Sequence, residues 1–169
     1  MAEILIINGS ARLNGDTQKF INKITEGIAF DQLNLLEHFL APYNYESVYP
    51  SEDQFNFFAK EILYHKHIVL ATPVYWYAMS SRMKTFFDRL TDWVTFNKEV
   101  GHSLKTKTVK LMAVGTDGEL PDGFITPFSM TANYLQMHFD GYQYFNVSIE
   151  PNAEEMHTIR ESFFSFTKV

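Results

Sequence analysis

The sequence contains no cysteine. This absence excludes disulfides, thiolate nucleophiles, iron–sulfur clusters and cysteine-based zinc sites. Long hydrophobic runs are also lacking, because the longest uncharged apolar stretch, residues 68–81, is interrupted by Pro73 and is too short to span a bilayer. The start, MAEILIING, lacks the basic region and long apolar core of a signal peptide. We therefore expect a cytoplasmic protein with no membrane-spanning segment.

Basic residues are in the minority: 14 Lys and Arg stand against 20 Asp and Glu, for a formal net charge of −6. The net basic stretch, residues 80–110, could help an anionic ligand to dock, but a solvated helix face explains it better, and we expect no nucleic-acid partner. No linker, repeat or low-complexity segment divides the 169 residues, so we predict a single domain over residues 1–169. The unusual feature of the composition is its 16% aromatic share.

Short apolar runs alternate with patterns of helical period along the chain. Buried strands are predicted at residues 4–7, 33–36, 67–72, 108–116 and 142–149. Helical apolar faces are predicted within residues 20–28, 55–62, 83–94, 128–139 and 156–166. A capping box of Ser51 and Gln54 begins the second helix, Ser80 or Ser81 caps the third, and Pro73 ends the third strand. The alternation predicts an α/β sheet of order 2-1-3-4-5 with helices on both faces, in which ligands bind between the carboxyl ends of strands one and three.

The loop after the first strand, residues 8–17, reads NGSARLNGDT. It combines two glycines, two hydroxyls and a guanidinium: Gly9, Gly15, Ser10, Thr17 and Arg12. With the N–H groups of the helix start, these favour a phosphate site, although the glycine spacing fits neither GxGxxG nor GxxxxGK[ST]. The alternative is a plain connection in which Asp16 serves as N-cap. We expect the Asp16 carboxylate to turn onto backbone N–H groups and away from a ligand.

Two more loops follow strands at the same edge of the predicted sheet. Residues 72–81 read TPVYWYAMSS, and three consecutive large aromatics cannot all be buried under one face. Exposed rings there suit a flat aromatic ligand, since stacking contributes about 0.5–1.5 kcal/mol per pair, although they could pack against a neighbouring chain instead. The loop at 115–123, GTDGELPDG, is by itself only rich in turns, but its position next to the third strand lets its backbone approach the same ligand.

These segments resemble the NAD(P)H-dependent FMN reductases, a flavodoxin-like family that includes quinone, nitro and azo reductases. Residues 8–17 resemble the family's NGSxRxxGxT phosphate loop, and residues 71–90, ATPVYWYAMSSRMKTFFDRL, resemble its third strand and following helix. GTDG at 115–118 is a weaker match. The resemblance implies a flavodoxin-like three-layer sandwich with a five-stranded parallel sheet of order 2-1-3-4-5. It also implies FMN as cofactor, NADPH or NADH as co-substrate, and a homodimer.

The resemblance also implies roles for individual residues. The FMN phosphate would bind at Ser10, Arg12, Asn14, Gly15, Asp16 and Thr17. The isoalloxazine would lie against Pro73, Val74, Tyr75, Trp76 and Tyr77, with Thr116, Asp117 and Gly118 at its edge. Asp16 stands where the family commonly has an amide, so we expect it to bind through its backbone. Relatives with an iron–sulfur cluster carry cysteines after the second strand, whereas residues 41–50 here have none and form a candidate partner or lid surface.

The predicted activity is hydride transfer from NAD(P)H through flavin N5 to a quinone, flavin, nitro or azo acceptor, in a ping-pong sequence. Such a reaction needs no catalytic side chain, and neither a catalytic triad nor a metal-binding motif stands out; a metal site at His65 and His67 is disfavoured. FMN is favoured over FAD because no segment for an adenosine half is apparent. Two alternatives stay open: a one-electron carrier of flavodoxin type, whose loop typically resembles TxTGxT, and a flavin-free interaction or regulatory domain. Arg12 and Arg82 are candidates to bind a nucleotide phosphate.

Overall fold

A computed structural model describes residues 2–167 of the chain. The strands are β1 (Ile4–Asn8), β2 (Asp31–Asn34), β3 (His67–Tyr75), β4 (Ala78–Met79), β5 (Thr108–Gly115) and β6 (His138–Asn146). The helices are α1 (Asp16–Ile24), α2 (Phe55–Tyr64), α3 (Ser81–Thr95), α4 (Lys98–Ser103), α5 (Thr126–Tyr134) and α6 (Ala153–Phe164). Within residues 2–167, no helix is both long enough and apolar enough to cross a membrane.

Five of the strands form a parallel sheet in the order β2-β1-β3-β5-β6, which confirms the predicted flavodoxin-like topology. The two-residue strand β4 was not predicted, and it folds back antiparallel onto the end of β3. Helices α2, α3 and α5 cover one face of the sheet, and α1 and α6 cover the other. The molecule therefore has the three predicted layers.

The apolar strand runs explain why both faces of the sheet are covered. Leu5 and Ile7 of β1 belong to the core under α2 and α3, whereas Ile4 and Ile6 belong to the core under α1 and α6. Side chains alternate between the two faces of a strand, so a continuous apolar run needs a hydrophobic layer on each side. The same alternation in β3 and β5 places these strands at the centre of the sheet.

The prediction that Pro73 ends the third strand is wrong, because β3 continues to Tyr75 and Pro73 pairs in register with Val114 of β5. The carbonyl of Ala71 accepts the Gly9 N–H at 2.8 Å, so the backbone of Pro73, two residues on, faces the same side of the strand. On that side β1 has already ended. The missing proline N–H therefore costs no hydrogen bond of the sheet.

The last strand begins at His138, not at residue 142, and ends three residues before the predicted end at 149. Asp140-Gly141 looks like a turn in the sequence, but Gly141 has φ +96° and forms an irregularity inside the strand opposite β5. Leu35 and Leu36, predicted in the second strand, lie in a 3-10 turn after β2.

The predicted capping box of α2 is also wrong. Gln54 is the N-cap but its side chain does not cap the helix, the Asp53 carboxylate accepts the N–H of Phe55 at 3.4 Å, and the Ser51 hydroxyl bonds to Glu52. The buried face of α2 follows the prediction, with Phe55, Phe58, Ala59 and Ile62 in the core.

Candidate functional site

An open cavity of about 160 Å³ lies at the carboxyl ends of β1, β3 and β5. It is lined by Ser10, Arg12, Gly15, Asp16, Thr17, Pro73, Val74, Tyr75, Val114, Gly115, Thr116 and Val147. Helix α1 leaves β1 towards one face of the sheet, and α3 leaves β3 towards the other. The cavity thus lies at the topological switch point, where ligands of doubly wound sheets bind.

The loop between β1 and α1 presents hydrogen-bond donors to this cavity. Gly15 is the N-cap of α1 and no side chain caps the helix, so the N–H groups of its first turn are left for a ligand or solvent. The Ser10 hydroxyl accepts the Arg12 N–H at 3.1 Å and closes a tight turn. A Cβ on Gly15 would lie 3.2 Å from the Arg12 Cβ, so a side chain there would crowd the loop. Thr17 is buried in the first turn and also lines the cavity.

Asp16 differs from its prediction in two respects. It is the first helical residue and not the N-cap. Its carboxylate accepts a hydrogen bond from Lys19 Nζ at 2.9 Å, and no backbone N–H among residues 2–167 donates to it. Because both side chains are more than half exposed, this ion pair only weakly offsets the repulsion between the carboxylate and an anion in the cavity.

Ser80 joins the first loop to the segment after β3. Its hydroxyl donates to the carbonyl of Gly9 at 2.6 Å and accepts the Met83 N–H at 3.1 Å, which confirms Ser80 as the N-cap of α3. Its own N–H donates to the Thr72 hydroxyl at 3.1 Å. The two loops that border the cavity are therefore fixed to each other through one buried side chain.

The aromatic segment after β3 forms a two-residue hairpin between Tyr75 and Ala78. Its central residues, Trp76 and Tyr77, have φ of +48° and +63°, as two-residue hairpin turns with the twist of the sheet require. Tyr75 lines the cavity, whereas Trp76 is 92% exposed and Tyr77 68%. The prediction that some of these rings are exposed is confirmed.

The third loop, residues 115–123, is hydrogen-bonded to side chains of β6. The Tyr144 hydroxyl donates to the carbonyl of Asp117 at 2.8 Å, and Asn146 Nδ2 donates to the same oxygen at 2.7 Å. Burial raises the pKa of Tyr144 and the Asp117 carboxylate raises it further, so the phenol stays protonated as a donor. A Cβ on Gly115 would lie 2.8 Å from the Tyr144 hydroxyl oxygen, so this close approach requires glycine.

Most of the predicted site residues meet in this cavity, but some lie outside its lining: Asn14, Trp76, Tyr77, Asp117 and Gly118. Arg82, the second candidate for a nucleotide phosphate, lies outside it too and donates to the carbonyl of Leu35 at 3.4 Å. Sequence reasoning missed Val114 and Val147, and it included Gly115 only as the first residue of the third loop. Val147 directly follows β6, and its N–H donates to the carbonyl of Gly115 at 2.8 Å. Because the last strand was predicted to continue to residue 149, the rule that ligands bind at strand ends would have pointed beyond Val147.

The residues present fit a ligand with a phosphate at one end and a flat ring at the other. Hydroxyls, a guanidinium and an uncapped helix start lie at the first loop, while Pro73, Val74 and Tyr75 offer apolar and aromatic surface. Among the lining residues of the described chain, no His, Lys or Cys is present to act as base or nucleophile. Within residues 2–167, no cluster of three His, Asp or Glu side chains could hold a metal ion. The lining therefore offers the groups needed to bind the phosphate and the flat ring of flavin mononucleotide.

Comparison with known proteins agrees with this fit. The family model described as NADPH-dependent FMN reductase matches residues 2–123. A Bacillus subtilis protein provisionally named an NAD(P)H-dependent FMN-containing oxidoreductase is 26% identical over 149 residues, covering 83% of this chain and 82% of its own.

Two solved structures share the fold. A Trp repressor binding protein of Bacillus subtilis superposes with a TM-score of 0.72 at 20% identity, over 98% of this chain and 99% of its own. An FMN-dependent NADH-azoreductase of Bacillus anthracis, in complex with FMN, superposes with a TM-score of 0.66 at 12% identity, over 96% and 97% of the two chains.

Proposed function

The chain belongs to the NADPH-dependent FMN reductase family, and we propose that it transfers electrons from NAD(P)H, through FMN, to a quinone, flavin, nitro or azo acceptor in a ping-pong sequence. Bound FMN supplies the redox chemistry, because a flavin takes hydride from a nicotinamide and gives electrons to a second substrate. The observation that carries the proposal is the cavity at the switch point, where an uncapped helix start faces an aromatic strand end. One FMN-binding domain then suffices for the activity.

The protein's part in this reaction is to bind and orient. We propose that the phosphate is held by the loop residues Ser10, Arg12, Asn14, Gly15, Asp16 and Thr17. The ring would lie against residues 73–77, with residues 116–118 at its edge. The guanidinium of Arg12 adds a charge that neither hydroxyl provides, and a helix start contributes about 1 kcal/mol towards an anion. Both ends of the cofactor must therefore be bound for tight retention.

A homodimer is part of the proposal. A groove between α3 and α5 is lined by Phe87, Leu90, Val94, Met130 and Tyr134, of which Met130 is 62% exposed and Tyr134 75%. Exposed apolar surface of this kind marks an interface, and a second copy is the partner proposed for it. Light scattering of the purified protein tests this, and a monomer mass at all micromolar concentrations would contradict it.

The activity is tested by the visible spectrum of protein loaded with FMN and freed of excess flavin, before and after anaerobic addition of NADPH or NADH. We expect a retained flavin band that bleaches within seconds and returns when a quinone is added. A retained band that neither nucleotide bleaches would indicate a one-electron carrier. Failure to retain FMN would contradict the proposed site. Free FMN at the same concentration, without protein, gives the background rate.

A further inference from the structure

Four carboxamide side chains form the inner part of a hydrogen-bonded network beside the phosphate loop, and the network ends at the exposed side chains of Asn22 and Glu37. They come from the end of β1, the first turn of α1 and the edge strand β2: Asn8, Gln18, Gln32 and Asn34. Gln18 and Gln32 bond to each other, and Gln32 Nε2 donates to Asn34 Oδ1 at 2.6 Å. None of the four is among the residues that line the cavity. The network can therefore influence a ligand only through the backbone that it holds.

Asn8 is the member that reaches the loop itself. It is 2% exposed, and its Oδ1 accepts the N–H of Ser10 at 2.9 Å. Its Nδ2 donates to Gln18 Oε1 at 3.0 Å and to Asn34 Oδ1 at 3.3 Å. One buried amide thus fixes the peptide of Ser10 and the third residue of α1 relative to the end of β1.

We propose that Asn8 is a positioning residue for the FMN phosphate, an inference that rests on the proposed function. By holding Ser10 and the first turn of α1 in place, it keeps the phosphate donors in their binding arrangement before the ligand arrives. Donors ordered in advance lose less conformational freedom on binding, so the affinity for the phosphate rises. The side chain needs an acceptor for the Ser10 N–H and donors for the network, and an amide supplies both without placing a negative charge beside a phosphate.

This role predicts an effect on phosphate recognition and not on ring binding. Riboflavin has the same ring as FMN but no phosphate, so the ratio of the two dissociation constants isolates the contribution of the phosphate. Loss of the Asn8 side chain should lower the ratio of the riboflavin dissociation constant to the FMN dissociation constant. A general loosening of the fold would weaken both ligands alike.

The experiment measures the dissociation constants of FMN and riboflavin by flavin fluorescence for the wild type, Asn8→Ala and Asn22→Ala. Asn22 is the matched control, because it is an exposed amide that only accepts from Gln18 Nε2, at 2.8 Å. In Asn8→Ala we expect FMN to bind about tenfold more weakly, which corresponds to 1.4 kcal/mol. Riboflavin binding should stay within about twofold, as should both ligands in Asn22→Ala.

Equal weakening of FMN and riboflavin in Asn8→Ala, or no change in either, would overturn the proposal. A wild type that binds FMN no better than riboflavin would instead contradict the phosphate site of the proposed function. Asn8→Asp provides a second variant if Asn8→Ala does not fold. It keeps the acceptor for the Ser10 N–H but loses the Nδ2 donors that hold Gln18 and Asn34, and it adds a negative charge, so FMN should bind more weakly while riboflavin does not change. FMN binding by Asn8→Asp at the wild-type level would also overturn the proposal.

Discussion

Replacing Arg89 with methionine should strongly destabilise the fold. Arg89 is 2% exposed and donates through both terminal nitrogens to Asp53, at 2.7 and 2.9 Å, and through Nε to Asp92 at 2.7 Å. It also donates to the carbonyl of Ala41 at 2.9 Å. These bonds attach both ends of the connection 41–53 to α3, and they show that residues 41–50, predicted as a partner or lid surface, are fixed at their base.

The size of the effect follows from the burial of the carboxylates. The side chains of Asp53 and Asp92 are only 6% and 12% exposed, so water cannot replace the lost cation. Removing one partner of a buried ion pair costs about 3–5 kcal/mol, because the remaining charges stay buried without compensation. Methionine keeps an unbranched apolar stem, so most of the loss should be electrostatic. We expect the free energy of unfolding at neutral pH to fall by about 3–5 kcal/mol.

The effect of pH on the stability contributed by Asp53 should have opposite signs in the wild type and in Arg89→Met. Burial acts to raise the pKa of Asp53, but hydrogen bonds from Arg89 and from backbone N–H groups outweigh it, so the pKa lies below its usual value. In the wild type this group therefore adds stability above its unfolded pKa, and the contribution is lost as pH falls through the folded pKa. In Arg89→Met, burial acts without the cation and should raise the pKa of Asp53. The variant should then gain stability as pH falls from neutrality.

Urea denaturation of both proteins at several values between about pH 7 and pH 5 measures this difference. Lys84→Met on the same helix is the matched control, because Lys84 forms an exposed pair with Asp88 and such pairs contribute about 0–1 kcal/mol. A loss below about 1 kcal/mol in Arg89→Met would refute the reasoning on the buried pair. If the difference in the free energy of unfolding between the wild type and Arg89→Met does not narrow towards pH 5, the pKa argument is refuted.

Two further substitutions test the contacts around the cavity. Gly115→Ala places a Cβ 2.8 Å from the Tyr144 hydroxyl oxygen and should displace the loop that this hydroxyl holds, which would raise the FMN dissociation constant in a fluorescence titration. Asn22→Ala, at an exposed position outside the cavity lining, should leave the same titration unchanged. Ser80→Ala removes the N-cap of α3 and should lower the free energy of unfolding by about 1–2 kcal/mol, whereas Ser81→Ala at an exposed position should stay within about 0.5 kcal/mol in the same urea assay. An equal effect in either pair would contradict the assigned contacts.

The topology could be predicted because it is determined by short sequence patterns, namely apolar strand runs that alternate with helices. A run such as Ile4 to Ile7 can be buried only between two layers, and alternation with helices then leaves few ways to wind the sheet. The bounds of individual elements depend on neighbours that a local pattern does not contain. Pro73 is tolerated inside β3 only because β1 has already ended beside it, and Gly141 lies within β6 only because β5 pairs on both sides of the irregularity.

The candidate site likewise has residues whose positions could be predicted from the sequence and residues whose positions could not. Ser10 and Thr17 could be predicted to line the cavity because the end of a strand and the start of a helix place them there regardless of packing. The direction of the Trp76 side chain could not be predicted, because large aromatic residues disfavour the left-handed region of φ and ψ. Nothing in the segment TPVYWY indicates a turn that uses this region. Two such residues in succession cost about 1–2 kcal/mol each, so the β3–β4 pairing and the Ser80 contacts must stabilise them. Backbone strain of this kind concentrates at functional sites, and this hairpin is the segment proposed to hold the ring.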